Sequence, residues 1–344
     1  MIVKRDITKR NKKRKIKFSL YMLLGICFLA ISFFCSISYG AADMNLKVAW
    51  GAVFQFNETI MEHQIIRTLR FPRTVADIIV GSSLAVAGAI MQGTTRNPLA
   101  DSGLMGISSG ATFAMAICLA FFPGRTYGET MLYTCLGAAL ATFMTYFFAS
   151  VGKKSMSPQK LVLAGLSISM LFSALTSYIA IKYNIGQDLT YWTAGGTASA
   201  KWRELAMTAP VYLLSVAIAV TFSPSITVLS LGEEVATGLG IKTNLVKGIS
   251  TVVVFLLTGV SVVIVGPIGF VGLLVPHIMR FFVGVDYRYI IPSCALYGAV
   301  FLVGADIFGR FINKPFETPL GIIFAVIGVP FFLYIARKQR REFE

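Results

Sequence analysis

Apolar runs of about 20 residues recur along almost the whole of this chain. A helix of that length crosses the hydrocarbon core of a bilayer, and it satisfies its own backbone hydrogen bonds where no water is present. Of the 344 residues, 56% are hydrophobic and 14% are charged, against roughly a quarter charged in soluble domains. The chain is therefore predicted to be an all-α polytopic membrane protein, and a soluble two-domain fold is excluded.

Hydropathy and helix-breaking residues predict about ten transmembrane helices. The predicted spans are 18–40, 74–92, 103–122, 129–151, 160–182, 205–222, 247–265, 266–282, 291–312 and 319–336. Segments 41–70 and 183–203 are predicted to be external, and 223–245 to be cytoplasmic. Ten spans divide into halves at about 18–185 and 186–337, which run in opposite directions because each half holds an odd number of spans.

Lysine and arginine concentrate at both ends of the chain, whose formal net charge is +15. Basic residues beside spans mark the cytoplasmic side, so 1–17 and 338–344 are predicted cytoplasmic tails of a single transmembrane domain, 18–337. The basic tail abuts an apolar span, which favours contact with anionic membrane lipid over nucleic acid. A signal peptide cleaved near Gly40-Ala41-Ala42 is the alternative for the first run. That run is longer than a typical signal core, and cleavage would break the even span count.

A polar stretch, MQGTTRNPLADSGLMG, joins the second and third spans. Pro98 lacks an N–H and restricts Asn97, so the helix is predicted to stop there, at the cytoplasmic end. Two interpretations are open at this point. The stretch is either a satisfied interface loop in which Asp101 caps the next helix, or a loop that lines a pore and closes its exit.

The short run GPIGFVGLLVPHIMR is broken by glycine and proline. Gly266, Gly269 and Gly272 predict a smooth helix face for close contact, and Pro276 predicts a break. His277 is either a proton relay or, as is more common for a lone histidine near a helix end, a hydrogen-bonded structural residue. The five cysteines form no CxxC pair and the two histidines lie far apart, so no metal site or cofactor is predicted.

The stretch LGEEVATGLGI predicts a small helix on the cytoplasmic surface. Glu233 and Glu234 provide its start signal, and Gly238 and Gly240 its stop signal. It is either a solvated loop helix or a lever that docks into a cytoplasmic partner. The overlapping sequence GLGIKT lacks the glycine spacing of a phosphate loop, so no nucleotide site is predicted in this chain.

Arg70 and Arg73, in LRFPRT, lie at the external mouth of the second span, and Arg310 lies near the external end of the ninth. Arginine there runs against the positive-inside preference, so it either snorkels to the interface or binds acidic residues of a soluble partner. Asp306 stands four residues before Arg310, a spacing that favours pairing, and Asp77 stands about one turn from Arg73. Acids in mid-span are typical of ion-coupled carriers, which leaves a secondary transporter with inverted repeats as the alternative function.

These motifs together resemble the permease subunits of ABC importers for ferric siderophores, haem and cobalamin, the FecCD or type II importer family. The motifs that carry the resemblance lie in the same order between about residues 50 and 337: LRFPRT, MQGTTRNPLADSGLMGISSGA, LSLGEEVATGLGI, GFVGLLVPHIMRF and ADIFGR…ETPLGIIFAVIGVPFFLYI. The resemblance implies the type II ABC importer permease fold in the cell membrane. It also implies a homodimer, or a pair of related subunits, with substrate passing between the two copies.

In such a system this chain is not an enzyme. The resemblance implies that a separate cytoplasmic ABC ATPase dimer binds ATP and Mg²⁺, and that an external or periplasmic substrate-binding protein delivers the substrate. A membrane scaffold without transport, the third interpretation, would need neither an external arginine cluster nor a coupling helix.

The resemblance also assigns site residues. It implies that glutamates of the binding protein dock onto Arg70, Arg73 and Arg310. The cytoplasmic gate falls to Asn97 and Leu99, with a second gate loop at Ser157, Pro158 and Gln159. ATPase coupling falls to Leu231, Gly232, Glu233, Glu234, Ala236, Leu239 and Gly240.

Overall fold

The computed structural model describes residues 2–40, 44–150, 158–313 and 316–341, and the regular structure within these ranges is entirely helical. The helices are α1 (Ile2–Ser38), α2 (Leu46–Phe54), α3 (Met61–Ile65), α4 (Phe71–Thr95), α5 (Ile107–Phe121), α6 (Tyr127–Ser150), α7 (Pro158–Lys182), α8 (Gly186–Ala194), α9 (Trp202–Ser230), α10 (Glu233–Gly238), α11 (Thr243–Val265), α12 (Val271–Val283), α13 (Tyr287–Ile312) and α14 (Leu320–Arg341). A π-helical turn, Ile66–Arg70, joins α3 to α4, and a 3₁₀ turn, Ser102–Met105, precedes α5.

Seven helical segments in the described part of the chain are long and apolar enough to cross a membrane. Three shorter apolar helices, Ile107–Phe121, Val271–Val283 and Leu320–Ile335, bring the total to the number expected from hydropathy. The all-helical, multi-pass architecture predicted from the sequence is thus confirmed. The single domain at 18–337 and its division near residue 185 stay predictions.

Two expectations about helix boundaries were wrong. The sixth span was expected at 205–222, but α9 runs on to Ser230, because hydroxyl groups in its last turns bond back to the backbone: Thr227 Oγ1 donates to the Ser223 carbonyl at 3.0 Å. Pro276 does not break its run, since it lies inside α12. The break comes earlier instead, in the non-helical residues 266–270.

Helix α4 lies at the centre of the bundle and is almost wholly buried against α9, α11, α12 and α13. Small residues allow the backbones to approach closely, as is common between membrane helices. Gly81 faces the Gly298 carbonyl of α13, and Gly88 faces the Gly272 carbonyl of α12, so that a Cβ on either α4 glycine would collide with backbone. Of the three glycines expected to form a smooth face in this run, Gly272 alone lies within α12.

The two halves of the chain share a pattern of helix contacts. Helices α5, α6 and α7 contact one another, and so do α12, α13 and α14. These triplets occupy equivalent positions in the expected five-helix halves, but the inverted-repeat arrangement stays a prediction.

The bundle has two distinct ends. Among the described residues, the Arg73 end is formed by 55–73, 183–202, 306–313 and 316–320, and the Glu233 end by 94–103, 230–243 and 283–289. The sequence predicts the first end to be external and the second to be cytoplasmic.

Candidate functional site

Arg73 is held between two carboxylates at the Arg73 end. Its Nη2 donates to Asp306 Oδ1 at 2.6 Å and its Nε lies 3.1 Å from Asp306 Oδ2. Its Nη1 donates to Glu317 Oε1 at 2.7 Å and to Oε2 at 2.9 Å. Asp306 also pairs with Arg310, which confirms the pairing expected from their i,i+4 spacing. The result is a cluster of two arginines and two acids that joins α4, α13 and the segment after α13.

Arg310 and Arg70 both bind the end of α1. Arg310 Nη1 donates to the Ser36 carbonyl at 2.8 Å, and Arg70 Nη1 donates to the carbonyls of Ile37 at 3.0 Å and Ser38 at 2.8 Å. Carbonyls in the last turn of a helix lack intrahelical partners and carry the negative end of its dipole, so guanidinium groups stabilise them. All three arginines assigned to docking are thus engaged within the chain, and their role towards a partner stays a prediction.

Other arginines at this end do face solvent. The exposed Arg67 lies over the Phe56 ring at 4.2 Å, and Arg203 is exposed beside Trp202. The Trp202 indole N–H donates to the Arg67 carbonyl at 2.8 Å, which brings these two arginines to one patch. Arg203 was not singled out in the sequence, because its neighbourhood depends on a contact across 135 residues.

Asp77 does not pair with Arg73, contrary to the spacing argument. Thr197 Oγ1 donates to Asp77 Oδ1 at 2.7 Å, while Asp77 Oδ2 has no hydrogen-bond partner among the described residues. The guanidinium of Arg73 turns towards α13 instead, where Asp306 meets it side-on. The segment around Thr197 is itself fixed to two other helices, since the Gly196 N–H donates to the Val265 carbonyl at 3.0 Å and the Leu320 N–H to the Gly195 carbonyl at 3.2 Å.

At the Glu233 end, the polar stretch after α4 forms a tight, internally bonded loop. Helix α4 stops at Thr95 as predicted, and Arg96 adopts the left-handed conformation with φ 54°. Asn97 Oδ1 accepts from the Leu99 N–H at 2.9 Å. Asp101 Oδ1 accepts from the Ser102 N–H at 2.8 Å. Asp101 therefore caps the 3₁₀ turn before α5 and not, as predicted, the helix itself, whose N-cap is Gly106.

The same loop reaches the start of α12. A Cβ on Gly272 would lie only 2.8 Å from Asp101 Oδ1, and Gln92 Nε2 donates to the Gly272 carbonyl at 3.1 Å. The non-helical backbone is therefore covered by protein, as a bilayer requires. Gating by Asn97 and Leu99, both partly buried, stays a prediction.

The second predicted gate loop, Ser157 to Gln159, is described only in part. Ser157 lies outside the described residues. Pro158 and Gln159 begin α7, and their side chains lie outside the described part.

Helix α10 presents an apolar ridge to solvent. Leu231, Val235 and Leu239 are 66%, 48% and 67% exposed. Val235 lies in α10, whereas Leu231 precedes it at the end of α9 and Leu239 directly follows it. The neighbouring Ala236 is fully buried against the bundle. We call Leu231, Val235 and Leu239 the α10 ridge. Gly232 precedes α10 with φ 133° and ψ 150°, a conformation that essentially only glycine adopts.

The charged residues near the α10 ridge are paired at the surface. Lys247 Nζ lies 2.7 Å from Glu233 Oε2, and this ammonium is the main reason that the pKa of Glu233 is lowered. Arg96 contributes in the same direction, and its Nη1 approaches Gly232. Arg96 therefore links the loop after α4 to α10, a contact that no local sequence signal indicated.

The turn between α12 and α13 carries a second acid at this end. Asp286 is 5% exposed, with Arg288 Nη2 at 2.8 Å, Thr227 Oγ1 at 3.2 Å and Arg14 Nη1 at 3.7 Å. Burial opposes ionisation, but the Arg288 guanidinium and backbone N–H outweigh it and lower the pKa of Asp286. Arg14 also lies over the Tyr289 ring at 4.8 Å. The start of the first span is thereby fastened to this turn.

His277 and the cysteines add no reactive cluster to these ends. The His277 ring meets Phe331 of α14 edge-on at 5.6 Å, a packing contact, and the five cysteines are free thiols. A structural role for His277 stays the preferred prediction.

The described helices form a membrane-crossing bundle with one charged, internally braced end and one end that exposes an apolar ridge. Residues 28–338 match the sequence profile of the FecCD transport family. The chain belongs to that family, whose members here are permease subunits of ABC importers.

Relatives cover nearly the whole chain. It is 45% identical over 322 residues to the iron(3+)-hydroxamate import system permease protein FhuB of Bacillus subtilis, covering 94% of this chain and 84% of that one. It is 36% identical over 307 residues to the cobalamin import system permease protein BtuC of Halobacterium salinarum, covering 88% and 81%. A solved structure titled as an inward-facing conformation of a metal-chelate type ABC transporter superposes with a TM-score of 0.81 at 28% identity, covering 94% of this chain and 99% of that one.

Proposed function

We propose that this chain is the membrane-spanning subunit of an importer for a ferric siderophore, with a ferric hydroxamate as the first substrate class to test and haem or cobalamin as the other candidates. The substrate passes between two permease copies, identical or related, in the cell membrane, with both termini on the cytoplasmic side. Support comes from the chelate named for the Bacillus subtilis relative and from the high identity and coverage of that match.

The observation that carries this proposal is the α10 ridge. Three exposed aliphatic side chains, one within the six-residue helix α10 and one on either side of it, lie at the end predicted to face the cytoplasm. Fully burying an aliphatic side chain of this size is worth about 1.5–3 kcal/mol, so the ridge offers binding energy to a soluble partner. In the proposal, that partner is an ABC ATPase dimer. ATP and Mg²⁺ bind to the ATPase, and this chain binds no cofactor of its own.

The loop after α4 connects α10 to the proposed cytoplasmic gate of the substrate passage. Arg96 lies beside Gly232 and Glu233, while Asn97 and Leu99 follow it directly in the loop. A displacement of α10 by the ATPase would thus reach the proposed gate through Arg96. The proposed second gate comprises Ser157, Pro158 and Gln159.

At the other end, the proposal places a substrate-binding protein. The exposed Arg67 and Arg203 give this surface a positive charge, and Arg70, Arg73 and Arg310 lie next to it or beneath it. A binding protein with acidic residues at matching positions fits this end.

Uptake of an iron-labelled ferric hydroxamate into proteoliposomes tests the function. The vesicles contain the permease, its ATPase and the external binding protein, with ATP inside. Uptake that requires ATP and survives ionophores supports the proposal. Uptake that persists without the ATPase and collapses with the ion gradient would instead establish the ion-coupled carrier.

Replacing Leu239 with aspartate tests the ridge itself. A charge at this position would be buried in the ATPase contact without a partner, which costs several kcal/mol, so ATP-driven uptake should fall by at least about tenfold. Leu239→Met keeps an apolar side chain of similar volume and should retain most of the uptake. The thermal unfolding temperature of both variants should match the wild type, because Leu239 is exposed in the permease. Equal uptake by both variants would remove the ridge from ATPase coupling.

A further inference from the structure

The two carboxylates that bind Arg73 differ in how firmly they are held. The Asp306 side chain is 3% exposed and pairs with two arginines, whereas the Glu317 side chain is 43% exposed and contacts Arg73 alone among the ion pairs of the described residues. A guanidinium offers separate edges to separate carboxylates. One edge of Arg73 is thus occupied by a buried acid, and the Nη1 edge by an acid that solvent reaches.

The backbone around Glu317 keeps this second acid in reach of Arg73. The Thr318 N–H donates to the Gly309 carbonyl at 3.2 Å, and the Leu320 N–H donates to the Gly195 carbonyl at 3.2 Å. These bonds fix the segment across the end of α13. The Glu317 carboxylate can therefore leave Arg73 by side-chain rotation, without any loss of backbone hydrogen bonds.

We propose that Glu317 is an internal substitute for an acidic side chain of the external protein partner. In the free permease it occupies the Nη1 edge of Arg73, and it gives way when a carboxylate of the partner takes that edge. Asp306 stays in place throughout and holds the guanidinium in the orientation that the incoming carboxylate needs. This inference rests on the proposed function, because it assigns a regulatory residue to the proposed docking surface.

The charges at this end favour an acidic protein surface as the partner. Arg73 and Arg310 are balanced by Asp306 and Glu317 while all four are together. Rotation of Glu317 leaves one positive charge uncovered. The exposed Arg67 lies in the same region, since Trp202, whose indole binds the Arg67 carbonyl, stacks edge-on against Phe71 at 5.0 Å.

The exchange is also energetically easy. An ion pair whose acid is solvent-exposed contributes little to stability, so its loss is offset by the new pair that a partner forms with the same guanidinium. By contrast, an acid that had to displace Asp306 would break a buried pair, which is far more costly. The accessible edge of Arg73 is therefore the one that Glu317 covers.

The test uses the full chain in nanodiscs of neutral lipid, with a fluorescent hexaglutamate peptide as the probe at low ionic strength. Glu317→Gln removes the internal competitor and should tighten peptide binding by about fivefold, the equivalent of one exposed ion pair. The matched control is Glu62→Gln, which removes an exposed acid at the same end that forms no ion pair with Arg73. It should change the affinity by less than about twofold.

Two further measurements distinguish the exchange of carboxylates at Arg73 from a general effect of net charge on peptide binding. A hexaglutamine peptide should bind all variants equally weakly. Adding Arg73→Lys to Glu317→Gln should erase most of the gain, because lysine has no guanidinium edge to offer. Unfolding temperatures of each variant establish that it is folded.

An unchanged or weaker hexaglutamate affinity in folded Glu317→Gln would overturn the inference and leave Glu317 as a structural partner of Arg73. The uptake assay is independent of this result. If Glu317→Gln binds hexaglutamate more tightly but ATP-driven uptake is absent, the proposed function is wrong and the exchange at Arg73 still holds. If uptake is present but the affinity does not rise, only the exchange at Arg73 is wrong.

Discussion

The two ends of the bundle differ in which residues they bury and which they expose. At the Arg73 end, Asp306 and Arg310 lie beneath the surface, 2% and 6% exposed, and brace three helices. At the Glu233 end, the charged pair of Glu233 and Lys247 is at the surface, and the aliphatic side chains of the α10 ridge project into solvent.

This difference indicates which end moves at low cost. Breaking a buried ion pair from one side costs about 3–5 kcal/mol, whereas an exposed pair is worth less than about 1 kcal/mol. The buried pairs at the Arg73 end are therefore expected to stay rigid, with Asp306 holding the Arg73 guanidinium in a fixed orientation. At the Glu233 end, α10 can rearrange at little energetic cost because its ion pair with Lys247 is exposed, whereas the turn at Asp286 is held by a buried acid.

The largest expected effect comes from removing the central acid of the rigid end. Asp306→Ala leaves Arg310 buried without its acid and should lower the free energy of unfolding by about 3–5 kcal/mol. Thermal or denaturant unfolding in detergent measures this. Glu317→Gln at the same cluster should lose less than about 1 kcal/mol, because its ion pair is exposed. Similar losses in the two variants would break the distinction between buried and exposed acids.

An intermediate effect is expected at the turn that fastens α1 at the Glu233 end. Asp286→Asn weakens charged hydrogen bonds with Arg288 and Thr227 and should cost about 1.5–3 kcal/mol at neutral pH. The folded-state pKa of Asp286 lies below its ordinary value, so this stability is present above about pH 4 and is lost as the pH falls through the folded pKa.

Unfolding of the wild type and Asp286→Asn at several pH values checks this sign. The difference between them should be constant near neutrality and should shrink below about pH 4. Glu234→Gln, which changes an exposed acid at the same end, is the control and should stay within about 0.5 kcal/mol of the wild type. A difference that grows on acidification would contradict the assigned pairing.

The smallest effect tests the backbone at the start of α10. Gly232→Ala forces a side chain into φ 133°, ψ 150° and should cost about 1–3 kcal/mol. Gly238→Ala, inside the same helix with open space around its Cβ position, should be neutral or stabilising by up to about 1 kcal/mol. Unfolding measurements and ATP-driven uptake should both separate the two variants. Equal behaviour would mean that the conformation of Gly232 is not required.

Much of the fold could be predicted from the sequence, because hydropathy alone limits what a chain of this kind can do in a bilayer. The number of spans and the stop before Pro98 both follow from local rules. The end of α9 at Ser230 and the continuity of α12 through Pro276 could not be predicted in this way. Hydroxyl groups and neighbouring helices satisfy the backbone groups that polar residues and proline would otherwise leave without hydrogen bonds.

The candidate sites were predicted less completely, and sequence separation explains why. The pairing of Asp306 with Arg310 was visible because four residues separate them on one helix. The same rule made Arg73 a candidate partner for Asp77, but the observed partner, Thr197, lies 120 residues away. Glu317 reaches Arg73 across 244 residues, and no periodicity could have shown that contact.

The central position of α4 has a consequence for biogenesis. The helix leaves the ribosome early, yet the helices that cover it, α9, α11, α12 and α13, are synthesised more than 100 residues later. Until those helices are made, α4 exposes its glycine and alanine surface and the carboxyl group of Asp77 to lipid or to the insertion machinery. The last steps of assembly are therefore the closure of the C-terminal half around a helix already in place, and truncated chains will expose that helix to quality-control proteases.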